Sequence, residues 1–475
     1  MEVFPASRER ASLLTVGLVL MVTAVAFEGL AAPTVLPATL DQLGGVGLYG
    51  WAFSGFWLAN LVGIPLAGAE ADRRGAFGPF AAGATAFSVG LLVAGLAPDM
   101  AWVVAGRVVQ GLGAGAIGSI TYVAIARGYP PAAQPRMIAV ISSAWVLPGL
   151  VGPALAGWVA QEHSWRWVFL ALAPLLPLAA VALAPSLRAL PAAAARPDVE
   201  TRRHASVASD ALVVAAAAGV ALAGISSGQL LVGAVLGVAG VAVAVVPLRR
   251  LLPPGTLRAR SPRGATIAVL ALVSVAFFGV EAFVPLVVAS IRNAGTVAGG
   301  LALTAAALTW AAGSWMQARL AARRSRRAVT TAGLLLVGAG VIVETAIPLT
   351  ALAPTWLAAA GWAVAGLGMG LAYSTLTLAV IEAAPSGGEG AATASAQLAN
   401  TIGIAVGTGL AGSLVALAAS GPMGLAPGVV VADLVMLCVV VAGIAAARRM
   451  PGGTPRQLVG SRSGAAAEHG PTLQP

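Results

Sequence analysis

The sequence has no lysine and few charges of any kind. All 27 of its basic residues are arginine, and charged residues fill only 9% of the 475 positions. Soluble domains carry about a quarter of charged residues. The absence of lysine excludes a G-x-x-x-x-G-K-[ST] phosphate loop, and with it direct use of ATP.

Cysteine and histidine are nearly absent as well. Cys438 stands alone in an apolar run, which excludes an intrachain disulfide and argues against a metal–thiolate site. His163, His204 and His469 all fall outside the apolar segments, so no histidine relay is expected. We therefore expect no metal, no cofactor and no catalytic residue: the chain is not predicted to be an enzyme.

Apolar residues dominate what is present. The chain is 59% hydrophobic with a mean hydropathy of +0.91, which predicts an all-α polytopic membrane protein. A net charge of +10 would suggest nucleic-acid binding in a soluble chain, but here the arginines lie between apolar segments, so we expect no nucleic-acid partner. Segments long enough to cross a bilayer number fourteen, at about 11–36, 51–71, 78–97, 100–126, 134–160, 167–187, 210–226, 229–248, 266–291, 298–320, 328–350, 355–380, 391–419 and 425–447.

The arginines predict the topology. They cluster in alternate connections, whereas Arg166 and Arg292 fall on the opposite side. By the positive-inside rule, both termini are expected in the cytoplasm of a multi-pass plasma (inner) membrane protein.

The spans predict two six-helix bundles related by pseudo-symmetry, at 11–187 and 266–447. Region 188–265 is interpreted as cytoplasmic linkers around an inserted hairpin at 210–248, which we expect to be lipid-facing, and 448–475 as a disordered cytoplasmic tail. Each bundle carries one carboxyl at matching depth in its first span, Glu28 and Glu281, shortly before a proline. A carboxylate buried at this depth is costly, so both are candidate proton carriers; the alternative is a structural, permanently protonated Glu.

The fourth and fifth spans carry an arginine and several glycines. Arg107 precedes Gln110 near the start of an apolar segment, where its charge must be paired or wetted, unless it reaches the interface by snorkelling. Glycines at helical spacing predict close helix packing. On the fifth span these small or kinking residues are Gly149, Gly152, Pro153 and Gly157.

Other polar residues in the spans are harder to assign. Glu344 and Asp433 lie in the outer parts of their helices, where we expect water to reach them and a structural role; the role of Glu70 is open. Gln397 and Asn400 share one helical face and either contact a ligand or hold two helices together.

Four motifs in order resemble the major facilitator superfamily, specifically its fourteen-helix drug:proton antiporter branch. The loop after the second span, with Gly68, Asp72, Arg73 and Gly75, is similar to the superfamily motif G-x-x-x-D-R-x-G. The other three are Arg107-x-x-Gln110-Gly111-x-Gly113, Gly149-x-x-Gly152-Pro153-x-x-x-Gly157 and Trp165-Arg166-Trp167-Val168-Phe169.

This resemblance implies a proton-coupled exporter of hydrophobic or cationic small molecules that works by alternating access as a monomer among membrane lipids. It implies proton coupling through Arg107 with Glu28 or Glu281, a gate at Gly68, Asp72, Arg73 and Gly75, an antiporter motif on the fifth span, and substrate contact by Gln110, Gln397 and Asn400. Two alternatives remain: a proton symporter that imports a metabolite, and a lipid-handling transporter-like protein.

Overall fold

A computed structural model describes residues 8–130, 132–190, 198–321, 323–350, 352–384 and 389–450. This part of the chain is helical and has no strands. The membrane helices, numbered in chain order, are α1 (Arg8–Leu43), α2 (Val46–Arg74), α3 (Phe77–Gly95), α4 (Met100–Gly128), α5 (Gln134–Ser143 and Val146–Glu162), α6 (Arg166–Leu170 and Leu175–Arg188), α7 (Asp198–Ser226), α8 (Leu230–Leu251), α9 (Pro262–Glu281 and Val284–Leu286), α10 (Gly295–Leu320), α11 (Arg326–Ala346), α12 (Trp356–Glu382), α13 (Glu389–Ala419) and α14 (Leu425–Ala447).

The predicted fold class is confirmed. Within the described residues, fourteen helices are long and apolar enough to span a membrane. Helices α1–α6 form bundle one, α9–α14 form bundle two, and α7 and α8 form the hairpin between them. We call the side that carries the arginine clusters, such as Arg73 and Arg127, the arginine-rich face, and the side with Arg166 and Arg292 the arginine-poor face.

Paired glycines show that the two bundles repeat one packing scheme. In bundle one, Gly83 and Gly90 of α3 lie against Gly113 and Gly106 of α4; a Cβ added at Gly113 would lie 2.5 Å from the Gly83 carbonyl oxygen. In bundle two the corresponding pairs are Gly333 with Gly368 and Gly340 with Gly361, where α11 meets α12 at the same separation. Because only glycine permits such backbone contact, these pairs fix the relative register of the helices.

The glycines of α4 and α5 serve different neighbours. On α4, Gly111 approaches the backbone of α2, where an added Cβ would lie 2.1 Å from the Phe56 carbonyl oxygen. On α5, Gly157 approaches α10, where an added Cβ would lie 2.7 Å from the Thr296 carbonyl oxygen. The glycines of α4 therefore build bundle one internally, whereas Gly157 joins the two bundles.

Close contacts between the bundles gather near the arginine-poor face. Gly50 of α2 crosses Gly412 of α13 so tightly that a Cβ on Gly50 would lie 2.3 Å from the Gly412 Cα. The Tyr49 hydroxyl donates to the Ala282 carbonyl over 3.2 Å, and the Thr296 hydroxyl donates to the Gly157 carbonyl over 2.9 Å. The structure is therefore closed at the arginine-poor face.

The expectation of a hairpin that faces lipid on both helices is wrong for α7. Leu222 of α7 packs with Leu58 of α2 and Ala405 of α13, and Ser226 shares a 3.0 Å hydrogen bond with Ser413 of α13. Helix α8 packs on α7 and exposes residues such as Val238. The alanine- and glycine-rich sequence of α7 looked lipid-facing, but small side chains are also what close helix packing requires.

The predicted linker and tail are only partly described. Helix α7 begins at Asp198, so the second part of the predicted linker 188–209 is helical. Residues 191–197 and 451–475, which include most of the predicted tail, lie outside the described part of the chain.

The Gly50–Gly412 crossing yields a stability prediction. Gly412→Ala should cost about 1–3 kcal/mol of unfolding free energy, because the added methyl group meets backbone that cannot move aside. Gly237→Ala on α8 is the matched control: a Cβ there meets nothing within 4 Å, and alanine favours the helix. Thermal unfolding of the purified variants measures both. Equal stability of the two would contradict the crossing.

Candidate functional site

Glu28 and Arg107 form an ion pair inside bundle one. The Arg107 guanidinium donates to Glu28 Oε1, and the two side chains are 2% and 0% exposed for Arg107 and Glu28. The Arg107 Nε donates to the Ala52 carbonyl at 3.0 Å. The Nη1 that donates to Glu28 also donates to Gln110 Oε1 at 2.7 Å. A buried carboxylate and a buried cation thus neutralise each other between α1 and α4.

The alternative that Arg107 snorkels to the interface is wrong. Its guanidinium lies over the Phe56 ring of α2, 4.3 Å from the ring centroid, in cation–π geometry. The close approach of α2 and α4 at Gly111 brings Phe56 and Ala52 within reach. Gln110, a candidate substrate contact, is fully buried and holds Arg107 instead of facing open space.

Glu281 has a different neighbour in bundle two. It ends the long segment of α9, is partly exposed, and faces the indole of Trp362 on α12, whose N–H does not complete a hydrogen bond with it by geometry. Trp362 is fully buried and stacks on Phe277 at 4.8 Å between ring centroids. No basic residue lies within positions 264–291 or 356–381, so these two helices offer Glu281 no cation.

The repeat makes Arg107 and Trp362 equivalent positions. Arg107 directly follows Gly106, which contacts Gly90, and Trp362 directly follows Gly361, which contacts Gly340 in the same way. The same place on the fourth helix of each bundle therefore faces the carboxyl of the first helix. Bundle one puts a cation there, and bundle two puts a neutral ring.

Glu281 also adjoins the closed side of the structure. The next residue, Ala282, accepts the hydrogen bond from Tyr49 of bundle one, and the Tyr49 ring packs against Phe283 at 5.3 Å between centroids. Helix α9 is interrupted here, between its two helical segments. The carboxyl is thus one residue away from a contact that holds the bundles together.

Partly exposed aromatic side chains lie toward the arginine-rich face. Trp310 of α10 contacts Phe278 of α9 and Tyr373 of α12, with ring centroids 6.2 and 5.7 Å apart. Tyr122 of α4 lies near Tyr373, across from bundle two, and is 44% exposed. These rings from both bundles can bind an apolar or cationic molecule between them.

Asn400 and Gln397, the two polar candidates on α13, have different surroundings. The Ser274 hydroxyl of α9 donates to Asn400 Oδ1 at 2.8 Å, so Asn400 holds two helices of bundle two together. Gln397 is exposed on the same helix.

The loop motif forms two ion-pair groups. Asp72 accepts from Arg127 of α4 at 2.5 Å, and Arg127 also donates to the Ala71 carbonyl at 3.2 Å. Glu70, whose role the sequence left open, pairs with Arg73 and Arg74 at 3.5 and 3.0 Å on the exposed surface.

Two glycines of the motif lie beside these pairs. Gly75 ends α2 with φ of 89°, a conformation that suits glycine, and Gly68 faces the Ser119 hydroxyl oxygen, 3.3 Å from an added Cβ. Asp72 thus ties the end of α2 to the end of α4.

The fifth-helix motif lies against α1 and α10. A Cβ on Gly149 would contact Ala307 at 3.4 Å, and one on Gly152 would contact Phe27 at 3.5 Å, both ordinary distances. A Cβ on Gly300 of α10, by contrast, would lie 2.4 Å from the Pro153 carbonyl oxygen. The end of the motif, Pro153 to Gly157, is thus the part in tight contact with bundle two.

Sequence reasoning missed the partners of the charged groups. Phe56, Arg127 and Trp362 were not singled out as site residues, because each meets its partner from a separate helix. A signal for Trp362 existed, since it follows Gly361 as Arg107 follows Gly106.

Two six-helix repeats, each with one carboxyl at a matching position of its first helix, are typical of secondary transporters. The chain belongs to the Major Facilitator Superfamily, whose family model it matches over residues 16–408. It is 29% identical over 418 residues to a probable multidrug-efflux transporter of Mycobacterium tuberculosis, covering 85% of this chain and 87% of that protein. It is 23% identical over 412 residues to the multidrug transporter protein MdtP of Bacillus subtilis, covering 86% of this chain and 76% of that protein.

Solved structures share the fold at low identity. A bacterial homologue of the human lysosomal transporter Spinster has a TM-score of 0.66 at 16% identity, covering 94% of this chain and 98% of that one. A peptide transporter of the POT group has a TM-score of 0.65 at 15% identity, covering 93% and 96%. The predicted membership in the superfamily is confirmed.

The ion pair predicts a strong dependence of stability on Glu28. Glu28→Gln leaves the Arg107 charge buried without a counter-charge, which should cost about 3–5 kcal/mol of unfolding free energy. Adding Arg107→Gln should restore part of this loss, because the uncompensated charge is gone. Thermal unfolding of both variants, with the exposed Glu162→Gln as control, measures the effect. A Glu28→Gln protein as stable as wild type would contradict the pair.

Proposed function

We propose that this chain is a proton-coupled exporter of hydrophobic or cationic small molecules, with its arginine-rich face and both termini in the cytoplasm. The arginine bias supports the orientation, and the relatives named as multidrug transporters support export. In this orientation the structure is closed toward the outside.

The observation that carries the proposal is the unequal treatment of the two carboxyls. Glu28 has a permanent partner in Arg107, whereas Glu281 faces Trp362 and has no cation within positions 264–291 of α9 or on α12. An unpaired carboxyl buried in a membrane protein becomes inexpensive only when it takes a proton. Glu281 is therefore the proposed proton carrier, and Glu28 with Arg107 the fixed ion pair that orders bundle one.

The position of Glu281 links proton binding to the closed face. Its neighbour Ala282 accepts the Tyr49 hydrogen bond that joins α9 to α2. A change of charge at Glu281 shifts the break in α9 and with it this contact. In the outside-closed structure the partly exposed carboxyl releases its proton toward the cytoplasm, and the substrate enters among the aromatic rings of Trp310, Tyr373 and Tyr122.

The aromatic rings of Trp310, Tyr373 and Tyr122 would also set which substrates bind. The aromatic faces offer apolar area and cation–π contacts and have few fixed hydrogen-bond directions, so molecules of different shape can bind. Ser314 and Ser374, whose hydroxyls share a 2.9 Å hydrogen bond, are polar groups close to Trp310 and Tyr373 in sequence. We propose that Gln397 extends this lining from α13.

Glu281→Gln should abolish proton-driven export without loss of folding. The amide keeps the size of the side chain but cannot release a proton. A coupling free energy of about 1–3 kcal/mol corresponds to about 5- to 150-fold, so we expect ethidium efflux from energised cells to fall about tenfold or more. Exposed Glu162→Gln is the matched control and should retain wild-type efflux.

Two results would contradict this function. Wild-type cells that fail to extrude ethidium faster than cells lacking the protein would argue against export of cations. A Glu281→Gln variant that exports ethidium with wild-type dependence on external pH would remove Glu281 from the coupling.

A further inference from the structure

Two further carboxyls are buried in bundle two, away from the site described above. Glu344 of α11 and Asp433 of α14 are each 2% exposed. The expectation that water reaches them because they lie in the outer parts of their helices is wrong, since both are enclosed by neighbouring helices. Neither has a part in the proposed transport site.

The two carboxyls lie at the same depth on antiparallel neighbours. Helices α11 and α14 touch at Gly338 and Val440, where an added Cβ on Gly338 would lie 3.3 Å from a Val440 methyl carbon. From that contact, Glu344 and Asp433 each lie nearly two helical turns toward the arginine-poor face. Glu344 and Asp433 therefore lie at one level of the contact between these two helices.

No cation is available to this pair from the helices around it. Helices α11 and α14 pack against each other and against α9, α12 and α13, and positions 264–291, 335–349, 356–381, 392–419 and 425–447 contain no arginine, lysine or histidine. The other titratable side chains at these positions are Glu281, Tyr373 and Cys438. Arg292, beyond α9, donates to the carbonyls of Thr350 and Ala353 at 2.7 and 2.5 Å.

Glu344 also has no hydrogen-bond partner within the described part of the chain. Both of its carboxyl oxygens are buried and unpaired, and Oε1 points to the space left by Gly361, 3.2 Å from an added Cβ. The nearby Thr345 hydroxyl donates to the Val341 carbonyl of its own helix. Two carboxylates buried at one level of a helix contact cannot both be ionised without a large repulsion and desolvation cost.

The repeat shows that packing alone does not require a carboxyl here. Ala94 lies one turn after Gly90 on α3, as Glu344 lies one turn after Gly340 on α11. Ala94 is fully buried, so a methyl group fills this place in bundle one. Filling this place in the fold therefore does not need a carboxyl.

We propose that Glu344 and Asp433 together bind one exchangeable proton, as a second protonation site of bundle two that is separate from Glu281. One proton shared between the two carboxyls leaves at most a single negative charge and supplies the missing hydrogen bond. Loss of this proton places two like charges between α11 and α14 and weakens their contact near the arginine-poor face.

Infrared difference spectroscopy of the reconstituted full chain tests this site without a transport substrate. The experiment uses the Glu281→Gln protein, in which the signal of the proposed carrier is absent. When the pH is raised from about 5 to about 9, this protein should lose a carboxylic acid C=O band that shifts in D2O. Adding Glu344→Gln and Asp433→Asn should remove that band, whereas adding exposed Glu162→Gln should not.

Three results would overturn the proposal. A band that persists unchanged across this pH range would show a permanently protonated structural pair. The absence of any such band, or its loss on adding sodium chloride at constant pH, would show an ionised pair or a cation site. If the triple variant does not fold, the pH and D2O dependence of the Glu281→Gln protein alone decides. Failure of Glu281→Gln to affect ethidium export would leave this inference intact.

Discussion

The cost of charge inside the membrane governs how this protein is built. Bundle one buries an arginine and satisfies it with Glu28, Gln110, the Ala52 carbonyl and the Phe56 ring. Bundle two follows the same helix plan but has no cation in the interior of its spans. Its three buried or partly buried carboxyls, Glu281, Glu344 and Asp433, must therefore exchange protons or remain protonated. In our proposal, bundle one is electrostatically fixed and bundle two responds to a proton gradient.

Glycine contacts set how the helices meet within each bundle and between the bundles. Within each bundle, glycine pairs such as Gly106 with Gly90 lock the helices in register. Between the bundles, Gly50 with Gly412 and Gly300 with Pro153 close only the arginine-poor face. Helix α7 packs against both α2 and α13 and so contacts both bundles. Rigid halves that meet at a few tight crossings suit rocking motions.

Much of the fold could be predicted from the sequence because bilayer thickness and arginine bias act locally along the chain. The fourteen spans and the matching depth of Glu28 and Glu281 need only segment lengths and positions. The pairing of Glu28 with Arg107, of Asp72 with Arg127, and the placement of Trp362 opposite Glu281 depend on how separate helices meet. The packing of α7 against α2 and α13 was missed for a related reason, because an alanine-rich helix face does not show whether lipid or another helix covers it.

Proton movement during transport tests the central claim most directly. Liposomes that hold the protein and an enclosed pH-sensitive dye are given ethidium on the side of the arginine-rich face, with no other ion gradient. The account predicts that protons move opposite to ethidium, because one carboxyl site exchanges the two. Proton movement in the same direction as ethidium, or ethidium movement without protons, would contradict it.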